Sequence, residues 1–138
     1  MLFVTSIFLL LTCNSDDDNL LSESLFRLNE PFQLTHQERA TCRCNDDFSI
    51  TFVDVLDDSI CPPTAQCVWE GGVRVATTVR LPEVAIVELF RGASLEKEYI
   101  GQIDTVGNYI INIVNAEREE NERENPAAYT IELLVTEL

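Results

Sequence analysis

Residues 57–81, DDSICPPTAQCVWEGGVRVATTVRL, join a cysteine-bearing loop to the most regular strand pattern in the chain. In residues 73–81, valine, threonine and leucine side chains alternate with arginine, alanine and threonine, which is the period-2 pattern of a half-buried strand. In the loop, Cys61 and Cys67 are spaced to close a short ring, and two prolines between them fix the backbone and remove two donors. This stretch therefore predicts a stapled loop that leads into a strand.

The rest of the chain repeats the strand pattern. Phe48, Ile50 and Phe52 share one face, and similar alternation occurs in residues 109–113 and 129–135. Seven or eight short strands, with turn signals roughly every 8 to 12 residues and no convincing long helix, predict an all-β antiparallel sandwich of immunoglobulin-like size. A closed β-barrel is the alternative architecture.

Two segments of the predicted domain have unusual composition. Residues 84–90 are apolar on both faces except for Glu88, so they predict a central strand or one whose outer face is covered by the N-terminal segment. Residues 115–126, NAEREENERENP, have almost no apolar side chains and predict a solvated, mobile hairpin loop.

The N-terminus predicts export and lipidation. Residues 2–11 are apolar but too short for a spanning helix, which needs about 20 such residues, so residues 1–12 are interpreted as a signal peptide. The sequence LLTC, ending at Cys13, resembles a bacterial lipobox, and the acidic block that follows resembles the tether of surface lipoproteins in Bacteroidetes-like bacteria. We therefore expect a lipidated acidic tether over residues 13–30, with a short amphipathic helix or a docked segment, and the β-domain over residues 31–138.

The cysteine count agrees with an oxidising compartment. If Cys13 carries lipid, four of the five cysteines remain as an even set. A hairpin across residues 45–47 would place Cys42 and Cys44 at one end and Cys61 beyond the other. About eight strand residues, roughly 25 Å, would separate those ends, which is too far for a disulfide. A Cys61–Cys67 bridge is therefore predicted, with Cys42 and Cys44 paired across one residue or reduced.

The loop also resembles a motif of uncharacterised secreted or lipid-anchored bacterial β-proteins, D-S-x-C-P followed by C-V-W-x-G. The matching residues are Asp58, Ser59, Cys61, Pro62, Cys67, Val68, Trp69 and Gly71. Ile60 and Glu70 stand where arginine and alanine are expected, so no role of that arginine transfers. The resemblance implies a β-fold and an extracytoplasmic location, and it assigns no catalytic residue.

Three residues of this loop have expected structural roles. Trp69, beside a disulfide cysteine, is expected to cover the Cys61–Cys67 bridge and to pack on the strand around Phe48 as a core anchor. Asp58 and Ser59 are expected to organise the turn ahead of Cys61.

Candidate chemistry is sparse. His36 has no histidine partner and no recognisable nucleophile motif, so it is interpreted as an exposed histidine at the end of a strand. Cys42 and Cys44 form only a minor candidate for a soft metal. Four carboxylates near the loop are weak calcium candidates without the spacing of a calcium loop: Asp54, Asp57, Asp58 and Glu70.

The composition restricts the function. A formal net charge of -15 argues against nucleic-acid binding, which requires clustered basic residues. The sequence predicts a non-catalytic module with no cofactor, anchored to the cell envelope and displayed on the outer membrane. Its expected role is either structural or the binding of a ligand at the cell surface, with a protein or a glycan as the candidate ligand. A secreted or periplasmic protein is the alternative location. The alternative function is a small hydrolase or accessory domain that uses Asp58 and Glu70.

Overall fold

The computed structural model describes residues 23–62, 64–68, 71–92 and 103–138. Strands account for most of these residues, with one short 3-10 helix at Pro126–Ala128. The strands are β1 (Glu23–Phe26), β2 (Phe32–Thr35), β3 (Arg39–Cys42), β4 (Asn45–Asp58), β5 (Gly72–Leu81), β6 (Glu83–Gly92), β7 (Ile103–Val106), β8 (Tyr109–Arg118) and β9 (Tyr129–Glu137).

The strands form two packed sheets, which confirms the predicted sandwich over the closed barrel. One sheet has the order β1-β3-β4-β5-β6 and the other β2-β9-β8-β7. Each strand pair is antiparallel except β1 with β3, which is parallel. Within the described part of the chain, no helix is long and apolar enough to cross a membrane.

The core lies between the two inner faces and draws on both sheets. The predicted alternation explains it, since Phe48, Ile50 and Phe52 of β4 and Val73, Val75 and Val79 of β5 are fully buried. From the other sheet, β8 and β9 contribute Ile111, Ile113, Tyr129, Ile131, Leu133 and Val135. The prediction that these segments are strands, each with its alternating apolar side chains on one buried face, is therefore confirmed.

The alternation of β4 does not continue to its end, because the strand contains two bulges. Its register against β5 shifts between Phe52 and Asp54 and again between Val55 and Asp57. Each bulge moves the following residues to the other face. The first bulge turns Asp54 to solvent, and the second restores the original alternation, so that Asp58 lies opposite the buried Val73 and faces the interior.

The sandwich begins earlier than residue 31. Glu23–Phe26, which we interpreted as part of the tether, pair with Arg39–Cys42 and extend the first sheet. Phe26 is 1% exposed, stacks on Phe32 with the ring centroids 4.5 Å apart, and meets Phe48 edge to face. Residues 23–26 therefore belong to the sheet, and the rest of the predicted tether lies outside the described part of the chain.

Residues 84–90 were expected in a central or covered strand, and that expectation is wrong for the described sheet. They belong to β6, which pairs with β5 and ends the sheet order. Their outer face is open, with Val84 65% and Ile86 77% exposed. The apolar composition misled the prediction, because only Val87, Leu89 and Phe90 of this strand are buried.

The segment 115–126 is only partly a loop. Residues 115–118 continue β8, and the connection to β9 ends in the 3-10 helix, which Asn125 caps by accepting a hydrogen bond from the backbone of Ala127. The expectation of a fully solvated loop is wrong for Arg118, which turns into the sandwich.

Candidate functional site

Asp58 lies at the centre of a polar cluster at one end of the sandwich. It comes from the inner face of the first sheet, at the end of β4. Arg118 and Tyr129 come from the inner face of the second sheet, where they are paired in the β8–β9 register. Because both inner faces reach the same end, the cluster joins the two sheets where the apolar core stops.

The Asp58 carboxylate has a partner on each oxygen. Its Oδ1 accepts a hydrogen bond from the Ile60 amide at 2.9 Å, an Asx turn. Its Oδ2 accepts from Arg118 Nη1, lies in hydrogen-bond contact with the Tyr129 hydroxyl, and is 3.9 Å from Arg123 Nε. The Asp58 side chain is 2% exposed and that of Arg118 is 12% exposed, so this ion pair lies in a largely dry environment.

Tyr129 and the two arginines complete the cluster. The Tyr129 hydroxyl is also 2.9 Å from the Arg123 carbonyl oxygen, and its single proton can serve Asp58 or that carbonyl at one time. A tyrosine at the start of a strand that bonds back to the preceding connection resembles the tyrosine corner of immunoglobulin-like sandwiches. Arg118 also lies over the Tyr129 ring, with Cζ 5.9 Å from the centroid.

Burial changes the acidity of Tyr129. Desolvation of the ring hydroxyl raises the pKa of Tyr129 above its ordinary value of 10.0, and the charges of Arg118 and Arg123 offset part of that rise. The phenol therefore stays protonated and able to donate throughout the neutral range.

The cysteine loop is closed at its base by Ser59 and Gly72. The Ser59 amide donates to the Gly72 carbonyl oxygen at 2.8 Å, and the Gly72 amide donates to Ser59 Oγ at 3.1 Å. Gly71 has a φ of 71°, and a β-carbon there would lie 1.8 Å from the Ser59 carbonyl oxygen. Glycine is therefore required by both the left-handed backbone and the close approach of the two loop ends.

Both cysteine pairs of the described chain are disulfide-bonded. Cys61 and Cys67 bridge with a Cα separation of 5.9 Å. Cys42 and Cys44, for which the sequence allows either a bridge or free thiols, bridge across one residue with a Cα separation of 5.1 Å. Oxidation occupies the thiolates that a soft metal at Cys42 and Cys44 would require.

An open cleft of about 770 Å³ lies beside the cluster. One wall is the cysteine loop, through Ile60, Cys61, Pro62 and Thr64. The other wall is the end of β8 and the connection after it, which contribute Ala116, Glu117, Arg118, Glu120, Asn121 and Arg123. Arg123 also spans the cleft, because its Nη2 donates to the Ile60 carbonyl oxygen at 2.9 Å.

The weak calcium candidates that the structure describes do not converge. The Asp58 carboxylate is occupied by Arg118 and Tyr129, and Asp54 is exposed and accepts a hydrogen bond from the adjacent Val55 amide. No group of three or more potential ligands forms among the residues that the structure describes. Glu70 lies outside those residues, as does Trp69, so the expected packing of Trp69 on the disulfide stays a prediction.

His36 lies in the turn between β2 and β3, as its polar neighbours suggested. His36 is half-buried rather than exposed, and its ring packs edge to face against Phe52, with the ring centroids 6.0 Å apart.

Sequence reasoning missed Arg118, Arg123 and Tyr129 as a group. Their only signal was a pair of arginines in an otherwise acidic segment just before a strand that begins with tyrosine.

Comparisons with protein-family models, curated proteins and solved structures find no match for this chain. The resemblance to secreted bacterial β-proteins, which is specific only in the loop motif, therefore stays a prediction.

Proposed function

We propose that this protein is a non-catalytic, lipid-anchored module of the bacterial cell envelope that binds its ligand at the cleft beside the cysteine loop. The observation that carries the proposal is the engagement of Asp58. Its carboxylate is 2% exposed and bonded on both oxygens, so it stabilises the scaffold and is not offered to a substrate.

The location is supported by two independent features. The two disulfides are typical of proteins that fold in an oxidising compartment outside the cytoplasm. The apolar run that ends at Cys13, followed by three consecutive aspartates, is typical of a lipoprotein precursor. The resemblance of the loop motif to secreted bacterial proteins points to the same compartment.

The cleft suits a polar ligand such as a glycan or an extended peptide. Its walls combine charged and amide side chains with the apolar surfaces of Ile60 and Pro62. Such a mixture offers hydrogen bonds for orientation and apolar area for contact. Because the disulfide and the Asp58 cluster fix both walls, the ligand would meet a preformed surface.

Metabolic labelling tests the anchor. The full-length chain is expressed in a bacterial host fed with an alkyne fatty acid, and we expect label on the wild type and none on Cys13→Ser. A Cys61→Ser/Cys67→Ser variant serves as the matched control and should keep the label. Equal labelling of wild type and Cys13→Ser would exclude lipidation at this residue.

Binding to a glycan array and to immobilised envelope peptides tests the cleft. We expect Asn121→Ala and Glu120→Lys, both on exposed residues of the cleft wall, to reduce any binding at least tenfold. Glu137→Lys, at the exposed end of β9, should leave it unchanged. Equal effects of all three would place the binding surface elsewhere.

The alternative is a small hydrolase or accessory domain that uses Asp58 and Glu70. It would require Asp58 to leave its ion pair with Arg118 to reach a substrate. Loss of a measured hydrolytic activity in Glu70→Gln, with unchanged unfolding, would favour the hydrolase.

A further inference from the structure

The strand β6 is unlike the other strands that end the two described sheets. β1, β2 and β7 are each 4 residues long, whereas β6 has 10 residues. A long, apolar edge strand offers a row of backbone donors and acceptors to another chain. Proteins commonly protect such an edge with lysine, proline or a bulge. The β6 sequence, EVAIVELFRG, contains no lysine and no proline. It also has no bulge, because it pairs with β5 without a register shift.

The outward face of β6 exposes two large apolar side chains beside the carboxylate of Glu88. Val84 and Ile86 are 65% and 77% exposed, and they lie beside Arg80 and Thr78 of β5. In the described part of the chain, no strand pairs with β6 on the side away from β5. This combination makes β6 a candidate interaction edge.

We propose that β6 pairs antiparallel with β6 of a second copy of this chain, centred on Val87. In an antiparallel pair, opposite residues must lie on the same face of the sheet, so the two-fold axis has to lie midway between the two copies of one residue. With the axis at Val87, Glu83 of each copy lies opposite Arg91 of the other. The two ends of the paired strands then each carry one pair of opposite charges.

Neighbouring registers lose this complementarity. An axis at Ile86 places Glu83 opposite Leu89, and an axis at Glu88 places two glutamates opposite each other. In the Val87 register the remaining carboxylate, Glu88, faces Ile86 and is already paired with Arg74 of its own sheet at 3.5 Å. Opposite charges across strands stabilise a pair and like charges oppose it, so the charge pattern selects one register.

The pairing would also continue both cores. Val87 and Leu89 face inward and are 4% and 0% exposed, and Ala85 lies on the same face of the strand. In the Val87 register Ala85 lies opposite Leu89, whose side chain is already fully buried, so the apolar surface that the inner face adds to the contact is that of Ala85. The two sandwiches would thus share one sheet of ten strands in the described part. Two chains of net charge -15 repel each other, and the two Glu83–Arg91 pairs would offset part of that repulsion.

Charge reversal across the contact tests the proposal. The full-length chain in detergent is examined by sedimentation at concentrations up to about 100 µM, which detects a dimer of micromolar Kd. We expect the wild type to dimerise and Glu83→Arg or Arg91→Glu to weaken dimerisation at least tenfold. The double variant Glu83→Arg/Arg91→Glu should restore it to within about threefold of the wild type.

The control is Glu137→Arg, which reverses a charge at an exposed site on the other sheet and should not change the dimer. Circular dichroism checks that each variant is folded, which we expect because Glu83 and Arg91 are both exposed. A monomeric wild type, whether because β6 is covered by another segment of the chain or because it stays open, would overturn the proposal. A dimer that responds to neither reversal, or a double variant that stays monomeric, would overturn it equally.

Discussion

Asp58, in the first sheet, is bonded to Arg118 and Tyr129 of the second sheet, so the removal of its charge should lower the stability of the fold. Asp58→Asn leaves the Arg118 guanidinium buried opposite a neutral amide. Breaking a buried pair by removal of one partner typically costs about 3 to 5 kcal/mol. We expect a loss of that size in the free energy of unfolding, measured by urea denaturation.

The adjacent Asp57 provides the matched control for this prediction. It is exposed and lies opposite Arg74 in the β4–β5 register, so Asp57→Asn should change the free energy of unfolding by no more than about 0.5 kcal/mol. Similar values for the two variants would mean that the Asp58 cluster does not stabilise the sandwich.

Tyr129 should make stability depend on alkaline pH. Since burial raises its pKa in the folded state, the unfolded chain loses the phenolic proton first, at pH about 10. The stabilisation is therefore fully present below pH 10 and is lost as the pH rises through the folded-state pKa. We expect the difference in unfolding free energy between wild type and Tyr129→Phe to shrink as the pH rises above about 10.

Urea denaturation of both proteins at several pH values measures this difference, and the other tyrosines cancel because both proteins contain them. Below pH 10 the variant should be less stable by about 1 to 2 kcal/mol, since it leaves a polar partner without its donor. A constant difference, or one that grows with pH, would contradict the assigned direction of the pKa shift.

The residues of this cluster show what the sequence could and could not predict. Asp58 was recognised through its place before a serine and a cysteine, because Asx turns are encoded locally. Its partners lie 60 and 71 positions away, at Arg118 and Tyr129. Periodicity gives the face of each residue in its own strand but not which strand ends meet, so the ion pair could not be predicted.

Among the elements, β1 most needs an experimental test, because its composition suggested a tether. Phe26 is 1% exposed and contacts Phe32 and Phe48, so Phe26→Ala should lower the free energy of unfolding by about 3 to 5 kcal/mol. Leu25→Ala, one residue earlier and 59% exposed, is the control and should have little effect. If the two variants unfold alike, β1 is not part of the stable domain.

The elements also explain why some predictions were right and others wrong. The strands with clean alternation, β5 and β9, were predicted because each covers one face of the core. In β4 the same logic fails after Phe52, where two bulges change the face that each residue occupies. For β6, the apolar composition gave no information on its position at the end of the sheet, because an apolar edge strand and a buried central strand have similar sequences.

At the scale of the whole molecule, neither disulfide links the two sheets. Cys42–Cys44 lies in the β3–β4 turn, and Cys61–Cys67 closes the loop between β4 and β5, so both lie within the first sheet. Cohesion between the sheets therefore depends on the apolar core and on the Asp58 ion pair at its end.

It follows that reduction should weaken the sandwich without unfolding it. A ring of six residues constrains the unfolded chain by only about 2 kcal/mol, and the Cys42–Cys44 ring by no more. A domain of ordinary stability, about 5 to 15 kcal/mol, retains a folded majority after such losses. We expect the reduced protein to keep its near-ultraviolet circular dichroism and a cooperative urea transition at a lower midpoint.

Two double variants separate the contributions of the bridges. Cys61→Ala/Cys67→Ala should lower the free energy of unfolding by about as much as reduction of this bridge does. Cys67 is exposed, so its replacement leaves no cavity that would add to the loss. Cys42→Ala/Cys44→Ala should cost more than loop entropy alone, because the Cys42 side chain is fully buried in the core and its sulfur accepts a hydrogen bond from the Cys44 amide. Loss of the cooperative transition in the reduced wild type would show that the bridges, and not the contact between the sheets, hold the fold together.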